Sequence, residues 1–112
     1  MEKLKNFMVD QNMTYVLGGN KSGDETNPTN HDFEIYRATD NKLVGSLHFQ
    51  QGMLEEEGVN GVLNEDLLLI LIDRIESFQR SKLACRENEN ALGKLYEALM
   101  WLNKRNNRRR KI

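Results

Sequence analysis

NEDLLLILIDRIESFQ, at residues 64–79, is the segment on which the fold prediction rests. It predicts a helix, because Asn64 is a favoured N-cap residue and the acids Glu65 and Asp66 follow where the helix dipole stabilises negative charge. From Leu67 to Phe78 the apolar side chains nearly encircle that helix. A helix that is apolar on most sides has to be covered on most sides. We therefore expect part of the cover to come from a second protomer.

A second long helix is predicted from about Ala84 to about Arg108. Its predicted buried face consists of Asn88, Leu92, Leu95, Leu99 and Leu102. Neighbouring members of this set are three or four positions apart, the spacing that places side chains on one face of a helix. Trp101 is expected to widen that face. Only the short break at 79–82 separates the two helices, so they are predicted to form an antiparallel hairpin.

The first half of the chain alternates apolar and polar residues as strands do. Strands are predicted at 13–17, at 32–37 and at 43–50, with the turn residues TDNK at 39–42 joining the last two as a hairpin. Residues 21–31 are expected to form an exposed loop. The predicted fold class is therefore α+β, with a small N-terminal antiparallel β-sheet followed by two long antiparallel α-helices.

A length of 112 residues predicts a single domain. Residues 1–60 would be its β-meander and loops, and residues 61–112 its helical hairpin with a basic C-terminal end. The longest apolar run, 67–72, is too short to span a bilayer, and the N-terminus lacks the pattern of a signal peptide. The single cysteine, Cys85, suits a reducing compartment and is expected to be buried. These features predict a cytoplasmic protein.

The net charge of −1 is unevenly distributed along the chain, because the C-terminal end is basic and the rest of the chain is acidic. Residues 103–112, NKRNNRRRKI, contain six of the 16 Lys and Arg residues and no acid. Such an end predicts an anion site, a docking surface for an acidic partner, or a solubilising tail.

The residue inventory does not favour catalysis. The sequence has no G-x-S-x-G motif, no Walker phosphate loop and no G-x-G-x-x-G motif. Its two histidines, His31 and His48, have no Cys or His at zinc-ligand spacing. We therefore expect no enzyme activity, no metal site and no cofactor.

Three residues of the helical half need an explanation. Asn88 interrupts an apolar face, where an unpaired amide would cost about 1–3 kcal/mol. Phe78 closes the first helix, and Arg105 lies one turn beyond Leu102. Ordinary structural roles are available for each of them: a helix-cap amide, a core aromatic ring and a cation at the end of a helix dipole.

Together with their surroundings, these residues resemble a known family. The matching segments are EEGVNGV at 56–62, DRIESFQ at 73–79, ACRENENAL at 84–92 and EALMWLNKR at 97–105, with a trailing Arg108. They resemble the first-named Thoeris anti-defence proteins of phages. The resemblance implies a homodimer or higher homo-oligomer that sequesters a cyclic ADP-ribose isomer between protomers, in the cytoplasm of an infected bacterial host. It places the ligand-binding residues at Phe78, Asn88, Arg105 and Arg108.

Helix geometry supports a site shared between protomers. Asn88 and Arg105 lie 17 residues apart on one helix, hence roughly 25 Å apart. A single chain cannot bring Arg105 to the end that carries Phe78 and Asn88, whereas an antiparallel partner can. The alternatives are a nucleic-acid-binding protein that uses the basic C-terminal helix end, a phage structural or adaptor protein, and a hydrolase of the same nucleotide. Nucleic acid is disfavoured because the body is acidic and only 7% of the residues are aromatic.

Overall fold

The computed structural model describes residues 1–5, 13–23 and 28–110, and it confirms the predicted α+β class. A sheet with strand order β1-β2-β3-β4 precedes the helices. The elements are β1 (Glu2–Lys3), β2 (Thr14–Ser22), β3 (Thr29–Arg37), β4 (Leu43–His48), α1 (Leu54–Glu57), α2 (Asn64–Gln79) and α3 (Arg86–Arg110).

The chain divides into two compact units, Met1–Val62 and Leu63–Ile112. The boundary falls two residues after the predicted division at residue 60, where the residue pattern changes from period two to the helical period. The single domain inferred from chain length stays a prediction.

In the first unit the four described strands pair antiparallel, with Tyr15 opposite Tyr36 and Val16 opposite Ile35. The predicted hairpin between β3 and β4 is confirmed. Asp40 closes its turn by accepting hydrogen bonds from Arg37 Nε at 2.9 Å and from the Lys42 N–H at 3.2 Å.

Strands β2 and β3 are longer than the sequence pattern predicted, whereas β4 ends at His48, two residues before the predicted end at residue 50. Residues 21–22 and 29–31, expected in a loop, belong to β2 and β3, and residues 24–27 of that loop lie outside the described residues. Lys21 pairs with Asn30 and Ser22 pairs with Thr29. Cross-strand pairing here outweighs the weak strand propensity of these polar residues. The two-residue β1 was not predicted, because so short a strand carries no periodic signal.

The loop that leads out of the sheet is held by amide side chains. Gln50 Oε1 accepts from the Asn60 N–H at 3.0 Å, and Asn60 Oδ1 accepts from the Gln51 N–H at 2.9 Å. Gly61 follows, and a Cβ there would lie 2.4 Å from the carbonyl carbon of Phe49. The close approach of the two backbones therefore requires glycine at this position.

In the second unit α2 and α3 run antiparallel. Glu65, near the start of α2, bonds to Arg105 near the end of α3, whereas Gln79, at the end of α2, bonds to Cys85 just before α3 begins. The predicted inner face of α3, from Asn88 to Leu102, is half-buried at each of its five positions. Ile72 is 5% exposed and is the only buried hydrophobic side chain of the described residues.

Three local expectations for the helices were wrong. Asn64 is the first residue of α2 and not its cap. The carboxylate of Asp66 instead holds the helix start, by accepting from the Leu63 N–H at 2.8 Å. Cys85 is exposed, because it lies in the turn between the helices. Trp101 is 55% exposed, so it lies outside the packed face of α3.

Candidate ligand-binding site

The basic end of α3 concentrates cations around one aromatic ring. Trp101, Lys104, Arg105 and Arg108 follow the i, i+3, i+4, i+7 spacing that places side chains on one face of a helix. With Asn107 they line a cleft of about 520 Å³, a volume within the range of small-molecule sites. The ammonium nitrogen of Lys104 lies 5.2 Å from the centroid of the Trp101 ring.

Arg105 is the most constrained cation of this cleft. Its Nη2 lies 3.3 Å from Oε1 of Glu65, and the two side chains are 32% and 19% exposed, respectively. Its Nε and Nη2 also donate to Asn106 Oδ1, at 3.3 and 3.1 Å. Arg108, in contrast, is exposed. The cleft therefore combines one fixed guanidinium with exposed cations, a chemistry that suits phosphate oxygens.

Phe78 lies in the last turn of α2, near the opposite end of the hairpin. It is half-buried, and the guanidinium carbon of Arg74 lies 5.1 Å from the centroid of its ring. Both residues line a shallow depression of about 550 Å³ with Leu69, Ile70, Asp73 and Ser77. Asn88, in the first turn of α3, is half-buried at the same end of the hairpin.

The four predicted site residues therefore form two groups. Phe78 and Asn88 belong to the turn end of the hairpin, and Arg105 and Arg108 belong to the open end. At 1.5 Å per residue the length of α3 separates these groups by roughly 25 Å. One chain does not bring them together, and their common role in ligand binding stays a prediction.

Some residues of these clefts were not predicted from the sequence. Arg74 could have been found from its i, i+4 spacing to Phe78. Glu65 carried no comparable signal, because its place beside Arg105 depends on the register of two helices. A third depression, of about 500 Å³, lies on the hairpin face between the two groups. It is lined by Glu65, Leu69, Tyr96, Leu99, Met100 and Asn103.

The histidines and acids of the described residues have other surroundings. His48 Nδ1 pairs with Asp32 Oδ1, and His31 Nε2 pairs with Ser22 Oγ. Within residues 1–5, 13–23 and 28–110, no three His, Cys, Asp or Glu side chains are grouped so that they could share a metal ion. None of the helices described in this structure has the length and apolar character needed to cross a membrane.

Comparison with known proteins first defines the class of this chain. A family model described as "Acb2/Tad1, hairpin domain" matches residues 48–106, a range that includes α2 and most of α3. The chain belongs to this Acb2/Tad1 family, which confirms the anti-Thoeris family inferred from the sequence motifs.

The comparison also finds a particular relative. Thoeris anti-defense 1 of Bacillus phage SBSphiJ7 is 46% identical over 98 residues. The matched region covers 88% of this chain and 61% of the relative. The chain thus spans about three fifths of the length of the relative that it matches.

Proposed function

We propose that this chain is a phage anti-defence protein that sequesters a cyclic ADP-ribose-type nucleotide between protomers in the cytoplasm of an infected bacterial host. The observation that carries the proposal is the 46% identity, over 88% of this chain, to a protein named Thoeris anti-defense 1. At that identity a relative shares its fold and commonly shares its class of ligand.

The basic end of α3 supplies the chemistry for the pyrophosphate of such a ligand. Arg105 and Arg108 line one cleft, and a guanidinium binds phosphate through paired, charge-assisted hydrogen bonds. The indole of Trp101 lies in the same cleft and offers an aromatic face to a ribose or base.

The turn end supplies the chemistry for the adenine. The ring of Phe78 can stack on a purine, as aromatic side chains do on nucleobases. The amide of Asn88 can both donate and accept a hydrogen bond at a base or ribose edge.

A second protomer would join the two ends into one site. In an antiparallel dimer the basic end of one hairpin meets the turn end of the other, and two identical sites result. The helices also carry an apolar surface suited to such contact. Leu69, Ile70, Met100 and Trp101 are 53, 64, 54 and 55% exposed, and burying apolar side chains drives association.

We further propose that the ligand leaves unaltered. None of the four proposed contacts is a general base at neutral pH. An arginine stays protonated, and an amide or a phenyl ring does not accept a proton under these conditions. The site would therefore bind without performing chemistry.

Isothermal titration calorimetry with cyclic ADP-ribose isomers tests the proposal. We expect saturable binding, followed by recovery of ligand of unchanged mass when the complex is heated. A changed mass would make the protein an enzyme. Binding of a DNA duplex with a steep salt dependence, without binding of any isomer, would favour the nucleic-acid alternative.

A pair of arginine variants tests the proposed site. Arg105→Ala is expected to abolish isomer binding while circular dichroism shows an unchanged helix content, because the missing partner is the phosphate. Arg109→Ala removes a neighbouring exposed cation that is not assigned to the site, and it should bind within about threefold of wild type. Normal binding by Arg105→Ala would overturn the assignment.

A further inference from the structure

Glu65 lies beside the arginine to which the proposed function assigns the phosphate. It is the second residue of α2, 40 positions from Arg105 in sequence, and the antiparallel register of the hairpin brings the two side chains together. Their closest atoms, Oε1 and Nη2, are 3.3 Å apart. At 19% exposure the Glu65 side chain is mostly removed from water, so its charge is screened less than that of a surface acid.

One nitrogen of the Arg105 guanidinium is used twice within the chain. Nη2 of Arg105 donates both to Glu65 and to Asn106, and Nε donates to Asn106 as well. In the described part of the protein, Nη1 of Arg105 has no hydrogen-bond partner. A phosphate that binds two N–H groups along one planar edge of Arg105 uses Nη2 together with Nη1 or Nε, so it must share or displace at least one of these internal acceptors.

We propose that Glu65 is an internal competitor for Arg105 and thereby sets the affinity of the site for anionic ligands. This inference rests on the proposed function, because it assumes that Arg105 binds phosphate. Two effects act in the same direction. The carboxylate occupies an N–H that the phosphate needs, and its negative charge repels the incoming anion.

Competition at Arg105 predicts opposite effects on stability and on binding. Removing the charge of Glu65 weakens the contact between α2 and α3, so the thermal midpoint of unfolding should fall slightly. The same change frees Arg105, so anion binding should become tighter. A residue with a purely structural role would weaken both properties together.

The test uses Glu65→Gln in the full chain, since glutamine keeps the shape and removes the charge. The probes are inorganic pyrophosphate, a cyclic ADP-ribose isomer and adenosine, each titrated by calorimetry. We expect both phosphate-containing probes to bind about fivefold tighter than to wild type, the range that a partly exposed ion pair supplies. Adenosine has no phosphate, and its affinity should not change.

Glu97→Gln is the matched control. It makes the same charge change in the middle of the hairpin, eight residues from Arg105 and so roughly 12 Å distant, where the acid pairs with Lys94 at 4.0 Å. Its phosphate affinity should stay at the wild-type value. In the double variant Glu65→Gln, Arg105→Ala the tightening should disappear, which locates the effect at Arg105 and not at the neighbouring cations.

Unchanged or weaker pyrophosphate binding by folded Glu65→Gln would overturn the inference, as would equal tightening in Glu97→Gln or no pyrophosphate binding by any of these proteins. If wild type binds none of the isomers, the proposed function is refuted. The pyrophosphate titrations would still decide the role of Glu65. If Glu65→Gln does not fold, Glu65→Asp withdraws the carboxylate by one methylene. It should give a smaller tightening of the same sign.

Discussion

Gln79 and Cys85 are joined by a reciprocal pair of hydrogen bonds across the turn between α2 and α3. The side-chain Nε2 of Gln79 donates to the carbonyl oxygen of Cys85 at 2.9 Å, and the Cys85 N–H donates to Gln79 Oε1 at 3.0 Å. The amide satisfies backbone groups that precede the first turn of α3, where a helix leaves its N–H groups without internal partners. One side chain thus fixes how the two helices of the hairpin are connected.

Gln79→Ala is expected to lower the free energy of unfolding by about 1 kcal/mol, because both hydrogen bonds are lost and both are exposed to water. Urea denaturation followed by circular dichroism measures this change. Gln79→Glu keeps an acceptor for the Cys85 N–H but places a carboxylate oxygen against the Cys85 carbonyl oxygen, so it should lose at least as much as Gln79→Ala. Wild-type stability in Gln79→Glu would contradict the reciprocal arrangement.

Gly61→Ala is expected to destabilise the sheet unit by about 1–3 kcal/mol, the usual cost of overpacking. The new Cβ would lie 2.5 Å from the carbonyl oxygen of Phe49 and 2.7 Å from the nitrogen of Gln50, and these backbone atoms cannot rotate away. Gly45→Ala is the control, since nothing lies within 4 Å of its Cβ position. Equal thermal midpoints for the two variants would show that the backbones separate freely at Gly61.

Alkaline pH is expected to destabilise the hairpin partly through Tyr96. A hydrogen bond to Glu76, followed by burial and by the charge of that acid, raises the pKa of Tyr96 above its ordinary value of 10.0. The folded state therefore holds the phenol proton more tightly than the unfolded state does. This contribution to stability is complete below pH 10 and is lost as the pH rises through the folded-state pKa.

Urea unfolding of wild type and of Tyr96→Phe at pH 9 and at pH 11 measures the Tyr96 effect. Wild type should lose more stability than the variant between the two pH values. A remaining loss in the variant is expected from Tyr36, because a hydrogen bond to Glu34 raises its pKa in the same direction. Identical losses in wild type and in Tyr96→Phe would exclude a role for Tyr96.

Mixing two inactive variants tests whether the proposed site is shared between protomers. Phe78→Leu and Arg105→Ala should each bind no cyclic ADP-ribose isomer alone. In a mixed dimer one site receives both altered residues and the other receives neither, so about a quarter of the sites should recover after statistical exchange of protomers. Calorimetric stoichiometry measures the recovery. A site built within one chain predicts no recovery at any mixing ratio.

The helical half of the fold could be predicted almost entirely from the sequence. The apolar run of residues 67–72 and the four-and-three spacing from Asn88 to Leu102 are local patterns, and the helices α2 and α3 follow them within about two residues. The antiparallel hairpin was predictable as well, because so few residues connect these helices. In the sheet, the turn at 39–42 was predictable from its residue types, whereas the true ends of β2, β3 and β4 were not.

The resemblance of its motifs assigned this chain to its family, and the family model agrees. The amino-acid sequence also supplied the separation between Asn88 and Arg105, since distance along a helix depends on residue count alone. The tertiary structure decided which side chains meet across the chain, including Glu65 with Arg105, Gln79 with Cys85 and Gly61 with Phe49. No local pattern encodes such pairs, because each depends on the register of elements that are distant in sequence.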